Sequence, residues 1–376
     1  MPTNATSQPM PSLRRPSWLA FLMSSFMLAL LLALMSAAPS AFAADTSHEP
    51  TTLRERLKAR REARQEARQE ARQAEPSPTS PNTITAPGDY EFKLNHQGIE
   101  RTYRVHVPRA FKRSAAPMPL VMAFHGGGGN MDIQATDRFY GLITQSERSN
   151  TLLVFPNGYS RLPSGKLATW NAGICCGKAR DKQIDDVGFV RAVLDDVSQR
   201  LPVDPKRVFA TGMSNGGMLT YRLACEMADR FQAIASVAGT DGTGPGCHPS
   251  RPVPVLHIHA KDDDRVLFNG GSGSDSDTHA DFVSVPDTIR KWVGLDACSP
   301  QTRTVLEVPG ARCEVHTGCA GGAQVKLCVT ETGGHSWPGG VKPRGGQAGS
   351  TAISANDEIW NFFGLPLQSP RPAPRQ

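Results

Sequence analysis

The chain has 376 residues, a formal net charge of +6, eight cysteines, and 39% of its residues are hydrophobic. That length exceeds a typical single domain and suffices for a large core. The charge is local: Thr51 to Ala74 carries eight Lys/Arg against four Glu, Arg14 and Arg15 add to it, and elsewhere the two signs nearly cancel. The bulk of the chain therefore makes no electrostatic case for nucleic acid or anionic lipid.

Arg14 and Arg15 precede an apolar run, Trp18 to Ala38, and Ala41-Phe42-Ala43 follows as a small-x-small cleavage signal. This predicts a secretory leader over residues 1–43, with a retained anchor as its rival; after cleavage no stable membrane insertion is expected. From Arg61 to Ala74 runs REARQEARQEARQA. A strict period of four stacks Glu62, Glu66 and Glu70 on one stripe and Arg64, Arg68 and Arg72 on another, so like charges meet and no apolar face exists to bury. Residues 44–88 read as a solvated spacer ending in a Pro/Ser/Thr-rich linker, with weak contact between the basic tail and an anionic cell-surface polymer as a second reading.

The body is expected over 89–367. Tyr90 to Pro108 alternates as two strands about a turn near His96-Gln97-Gly98, and Pro119 to Phe124 and Thr151 to Phe155 read as buried strands. Asp185 to Leu201 has helical spacing behind an Asp cap. A strand over Lys206 to Thr211 and a helix over Met218 to Met227 follow, then strands at Phe231 to Val237 and Pro252 to His259. Val285 to Val293 and Asn356 to Phe363 read as helices. Strands alternating with helices imply an α/β fold with a mostly parallel sheet covered on both faces. Thr302 to Thr330 departs from that pattern and looks like an antiparallel edge. Residues 368–376 are expected to be a disordered tail.

All eight cysteines lie in the body, and a leader ahead of them favours disulfides in an oxidising compartment. Cys313 would face Cys328 across a hairpin, Cys298 is paired with Cys319, and the other four pair among themselves. No Cys-x-x-Cys spacing supports zinc. His257 and His259 share a strand face but lack a third ligand, so packing is the simpler reading.

Gly212-Met213-Ser214-Asn215-Gly216 joins the strand at Val208 to a helix, the context a nucleophile elbow requires. A hydroxyl is a weak nucleophile at neutral pH, so Ser214 needs a base, a group to orient the base, and donors for an oxyanion. His335, in GGHSWPGG, is the candidate base. Asp262, Asp263 and Asp264 supply the acid, and one of them can be correctly aimed. His125-Gly126-Gly127-Gly128-Gly129 follows a strand and could bring backbone N–H groups close to a substrate, together with the N–H of Asn215. Trp337 and Trp170 are candidate substrate-binding rings, with core packing as the alternative for each. The order nucleophile, acid, histidine is that of α/β-hydrolases.

The set PLVMAFHGGGGN, WNAGICCG, DDVGFV, VFATGMSNGGMLTYRLACE, VPVLHIHAKDDDRV and GGHSWPGG resembles the secreted polyhydroxybutyrate depolymerase and feruloyl esterase group of serine esterases, which includes carbohydrate esterase family one. The resemblance spans about Asp89 to Leu367. It implies an α/β-hydrolase fold, Ser214 as nucleophile, His335 as base, Asp263 as the acid, and Gly127 with Asn215 as oxyanion donors. The vicinal Cys175-Cys176 also matches. Ala260 where the family has glycine, and the charged Lys261 and Arg265, depart from its pattern.

The expected function is a secreted (extracellular or periplasmic) serine esterase, working without cofactor or metal through an acyl-enzyme. Its substrate would be an oligomeric or polymeric ester, either short-chain polyhydroxyalkanoate or feruloyl and acetyl esters of the plant wall. Because only QSPRPAPRQ follows Leu367, with no appended binding module, oligomers, amorphous polymer or plant-wall esters are favoured. Two rivals are a non-catalytic polymer-binding protein on a hydrolase scaffold and a cell-envelope protein acting through the Arg/Glu repeat.

Overall fold

Gln97 and Gly98 both take positive φ, 51° and 79°, the two-residue turn whose twist matches that of flanking strands. It joins β1 (Gly88–His96) to β2 (Ile99–Val107) in antiparallel register. The computed structural model describes residues 83–365 and 367, except 275, 277–279 and 344–347. All fall in one unit, Pro78–Gln376; the other unit, Met1–Ser77, lies outside the described residues, as do the leader, the four-residue repeat and residues 368–376. The fold begins before Asp89: Ile84 is buried and its N–H donates to the Arg200 carbonyl.

Next come β3 (Met118–Phe124), then α1 (Met131–Ala135), α2 (Asp137–Tyr140) and α3 (Leu142–Ser149), β4 (Leu152–Pro156), α4 (Gly177–Asp181) and α5 (Asp186–Arg200). After them run β5 (Val203–Met213), α6 (Asn215–Glu226), β6 (Ala233–Val237), β7 (Val255–Ala260) and α7 (Val285–Leu295). The chain closes with β8 (Thr302–Val308), β9 (Ala311–His316), β10 (Val325–Thr330) and α8 (Ala355–Phe362). The sequence reading assigned no helix between Phe124 and Thr151, nor one at 177–181. Each helix there spans four to eight residues, too few for periodicity to speak, and left-handed Gly141 separates α2 from α3.

The strands form one sheet in the order β1-β2-β4-β3-β5-β6-β7-β10-β9-β8. From β4 through β10 neighbours are parallel, and an antiparallel pair closes each end. β3 shows why both faces must be covered, since all seven of its residues are buried. Leu120, Met122 and Phe124 join a core that includes Val190 and Val193 of α5, Leu219 and Leu223 of α6 and Trp292 of α7. Val121 and Ala123 face the opposite core with Leu142, Ile359 and Trp360. This is the α/β-hydrolase arrangement, and the parallel strands present their C-terminal ends on one rim.

Four disulfides lock the loops: Cys175–Cys176, Cys225–Cys247, Cys298–Cys319 and Cys313–Cys328. Cys313 and Cys328 are direct partners in the β9–β10 register, so the hairpin expectation holds. Such bonds persist in an oxidising compartment. A cluster of metal-ligand type, Cys313, Cys328 and Glu358, has both of its sulfurs bonded to each other.

At the opposite end of β7, buried Asp296 caps the C-terminus of α7 and accepts the Val253 N–H at 2.9 Å, while its Oδ2 has no hydrogen-bond partner among the described residues. Burial raises its pKa to about 6, partly offset by the Val253 bond and Arg251. A carboxyl with a raised folded pKa adds stability below its unfolded value near 4 and loses that contribution as pH rises through about 6. Asp296→Asn keeps an acceptor for Val253, so wild type should lose stability relative to this variant between about pH 4 and 7. Urea midpoints of both proteins across that range check it.

Candidate active site

β5 ends at Met213, and Ser214 turns the chain into α6 with φ 55° and ψ −122°, a strained conformation for a residue with a side chain. Its N–H donates to the Val237 carbonyl at 2.8 Å, and its own carbonyl accepts from Met218 N–H at 2.8 Å. The glycines on either side are dictated by space. A Cβ on Gly212 would lie 2.5 Å from the Gly216 backbone, and one on Gly216 would lie 2.3 Å from the Phe124 carbonyl oxygen. The Ser214 hydroxyl does not cap the helix it precedes.

Packed on this turn is the glycine loop after β3. A Cβ on Gly126 would sit 3.5 Å from Ser214 Cβ, and one on Gly127 would sit 3.6 Å from Asn215 Cβ. Gly128 N–H donates to Ala168 O and Gly129 N–H to Gly126 O, while among the described residues Gly127 N–H finds no backbone acceptor. The Asn215 N–H opens a helix and so has no carbonyl one turn earlier to bond. The Asn215 side chain bonds both backbone groups of Trp170, accepting at 2.7 Å and donating at 3.0 Å.

His125 holds the loop in shape. Gly158 N–H donates to its Nε2 at 2.9 Å, so the proton resides on Nδ1, which donates to Gly126 O at 2.9 Å. Burial pushes its pKa down to about 4 against the Gly126 bond, and Arg101 adds to the depression, so the ring stays neutral.

Two strands away from β5 in the sheet, the loop after β7 carries Asp263, and the loop after β10 carries His335. His335 Nδ1 lies 2.9 Å from Asp263 Oδ2 and 3.1 Å from Oδ1. Arg265 N–H and Val266 N–H each donate to Oδ1 at 2.9 Å, and His259 Nε2 lies 3.3 Å from Oδ2. Burial alone would raise the Asp263 pKa. The His335 charge and the hydrogen bonds from His259 and His335 outweigh it and hold the carboxyl well below the usual range. An ionised Asp263 can only accept, so His335 carries its proton on Nδ1 and leaves Nε2 free to act as a base. The Asp263–His335 link is closed, whereas among the described residues the Ser214 hydroxyl makes no hydrogen bond to the base, a contact often loose until substrate arrives.

Residues 175–241, which contain the serine turn, match the prolyl oligopeptidase family. Feruloyl esterase B of Piromyces equi is 33% identical over 172 residues, covering 44% of this chain, which spans 31% of that protein's length. A protein of Aspergillus clavatus named "Probable feruloyl esterase C" is 31% identical over 271 residues, 70% of this chain and 83% of its own. The chain belongs to the feruloyl esterase family of serine esterases. The acetyl xylan esterase from Aspergillus awamori shares the fold, with a TM-score of 0.50 at 13% identity over 74% of this chain and 100% of its own.

Of Ala260, Lys261 and Arg265, the positions expected to depart from the feruloyl esterase pattern, the structure accommodates the first two. Ala260 is buried at the end of β7, and exposed Lys261 reaches Glu331 at 2.7 Å. Neighbouring Asp262 accepts from Gly334 N–H at 2.7 Å and Gly333 N–H at 3.3 Å, clamping the loop that carries His335. The residues alone left the three aspartates open and the family resemblance pointed to Asp263, but neither assigned this clamping role to Asp262. Both tryptophans need correction as substrate-binding rings. Trp170 is 0% exposed, with its indole N–H donated to His125 O; Trp337 is 4% exposed, edge-on to Tyr140 and bonded to Asn356. These rings brace loops and offer no open face.

A residue missed from sequence is Leu167, which is 65% exposed at φ 54°. Its neighbour Ala168 pairs with Gly129 of the glycine loop. No sequence signal marks a leucine held in left-handed backbone.

The three consecutive aspartates can be told apart by experiment. Asp263→Asn should lower p-nitrophenyl acetate turnover on the order of 10³- to 10⁴-fold by spoiling the His335 tautomer. Asp264→Asn should stay within about threefold of wild type; steady-state kinetics on both folded variants decides.

Proposed function

We propose that this protein is a secreted serine esterase that cleaves feruloyl or acetyl esters of plant-wall polysaccharide, with Ser214, His335 and Asp263 as its catalytic residues. The observation that carries the reading is the pairing of buried Asp263 with half-buried His335 on the rim that also bears the strained Ser214. The names of the relatives, feruloyl esterases B and C, support the substrate class.

In this reading His335 Nε2 takes the Ser214 proton as the oxygen attacks the ester carbonyl, and Asp263 stabilises the imidazolium that forms. The Gly127 and Asn215 N–H groups then hold the oxyanion, each donor being worth on the order of 10²-fold in rate or more. His335 returns the proton to the leaving alcohol, and water repeats the sequence to release the acid. The residues of this relay need neither metal nor cofactor. Leader cleavage after Ala43 delivers the enzyme to the extracellular or periplasmic space, and the Arg/Glu repeat serves as a spacer that makes weak contact with anionic surface polymer.

The acyl or aryl group of the ester lies against an apolar rim on the 157–176 segment. Leu162, Leu167 and Ile174 are its exposed hydrophobic side chains, in contrast to the sealed tryptophans. A strained backbone that holds an apolar side chain in water beside the glycine loop has a cost that a bound substrate would justify.

Ser214→Ala should abolish p-nitrophenyl acetate turnover, by at least about 10⁴-fold, and abolish fluorophosphonate labelling, with an unchanged circular dichroism spectrum. Turnover near wild type would refute the esterase reading. On purified protein, methyl ferulate and acetylated xylan should be cleaved faster than hydroxybutyrate trimer; the reverse order would move the substrate class to polyhydroxyalkanoate.

Loss of the Leu167 side chain removes roughly 1 to 2 kcal/mol of apolar contact. Leu167→Ala should accordingly raise KM for methyl ferulate about five- to thirtyfold and change kcat/KM for p-nitrophenyl acetate by less than about twofold. Michaelis–Menten curves on the two substrates test this.

A further inference from the structure

Behind Asp263, on the face of β7 covered by α6 and α7, lies a second set of polar side chains with no contact to solvent. Tyr221 and His257 are 0% exposed and His259 is 1% exposed. Tyr221 Oη is 2.6 Å from His257 Nδ1, and His257 Nε2 is 3.0 Å from His259 Nδ1. His259 Nε2 reaches Val266 O at 2.8 Å and Asp263 Oδ2 at 3.3 Å. The two imidazole planes are parallel within 2° with centroids 5.2 Å apart.

The proton on each nitrogen follows from the ends of the series. Val266 O and the Asp263 carboxylate can only accept, so His259 Nε2 bears hydrogen. Burial and the neighbouring His259 hold His257 far below the ordinary imidazole range, against the pull of Asp263, so that ring is neutral. A neutral His257 has one proton to place, and among the described residues the Tyr221 hydroxyl has His257 Nδ1 as its acceptor, so that proton sits on Nε2 and is donated to His259 Nδ1. His257 Nδ1 is then bare, and Tyr221 O–H fills it. Burial keeps that phenol protonated, and nearby Asp241, itself paired with Lys291, adds to the effect. All the donors point one way, toward Asp263.

Val266 makes this orientation useful. Its N–H binds Asp263 Oδ1 and its carbonyl accepts from His259, so one residue ties the acid to the end of the series. We propose that Tyr221, His257 and His259 form a buried hydrogen-bond chain that positions Asp263, with His259 as a positioning residue for the reaction. The inference rests on the esterase reading above. A carboxylate that loses its His259 partner turns more of its charge toward His335, which makes the imidazole more basic. Among the described residues the groups facing Asp263 are His335 from the loop after β10, His259 from β7 and the N–H groups of its own turn, so replacing His259 leaves His335 as the side chain that feels the change.

The test uses the full-length secreted enzyme. His259→Leu removes the donor; His259→Gln retains an N–H that can reach Val266 O. The expected result for His259→Leu is a kcat at least tenfold lower with KM within about twofold. Its acid-side midpoint in kcat/KM should also move to higher pH. His259→Gln should recover kcat to within about threefold of wild type. A folded His259→Leu with wild-type kcat and midpoint would overturn the proposal, as would a His259→Gln no better than the leucine variant. If His259→Leu fails to fold, Tyr221→Phe serves in its place, because it deletes one buried oxygen and leaves His257 Nδ1 empty. It should lower kcat two- to fivefold at constant KM, and wild-type kcat would overturn the chain. Fluorophosphonate labelling of wild type and its loss in Ser214→Ala separate failure of the chain from failure of the esterase reading.

Discussion

The rim depends on keeping one carboxylate charged inside the protein. The Asp263 side chain has no solvent exposure, and an unpaired ion there would cost several kcal/mol or more. Four donors remove the difficulty: two backbone N–H groups of its own turn, His335, and His259 at longer range. The turn from Ala260 to Val266 is therefore folded around the ion as well as carrying it. The same bonds that pay for burial also fix the His335 tautomer, so stability and chemistry share their atoms.

The far side of the site is held by a different buried charge pair. Arg101 of β2 meets Asp186 at 2.7 Å with both side chains sealed, and Asp186 also accepts the Asn171 N–H at 2.7 Å. A second Arg101 bond goes to the Asn157 carbonyl, and its guanidinium lies 4.1 Å from the Phe189 ring centroid. Asp186 thus anchors the Asn171 end of the 157–171 segment to α5 directly and the Asn157 end through Arg101, next to Trp170, whose backbone is bonded to Asn215. Removing either partner would strand a charge in the core. The elbow and the glycine loop are braced through this network, at a distance from the reacting groups.

Much of this was legible in the sequence because it follows from local rules. Val208 to Met213 is a mostly apolar run that breaks at glycines, His125 follows a fully apolar strand, and three aspartates stand at a strand end. The antiparallel edge and the Cys313–Cys328 pairing were legible for the same reason. What stayed hidden depends on tertiary contact. Whether Trp170 and Trp337 line a cleft or pack in the core stayed open, since aromatic identity does not tell whether a loop folds over it. The separate jobs of Asp262 and Asp263 are invisible in a run of three identical residues. The His257–His259 face was seen, but that its hydrogen bonds lead from α6 to the acid required the position of Tyr221.

The crowding at the serine turn divides the site into parts that can vary and parts that cannot. Gly212 and Gly216 have backbone where a first carbon would go, and Gly217 would strike Ser236, so mutation has no foothold in that motif. The 160–167 loop projects into open water from a short bridge between Tyr159 and Thr169 and carries its apolar side chains outward. Lineages with this scaffold could exchange one alcohol or acid preference for another by rewriting those eight residues, without disturbing the catalytic geometry. Directed evolution aimed at new esters would do well to confine its diversity to that loop.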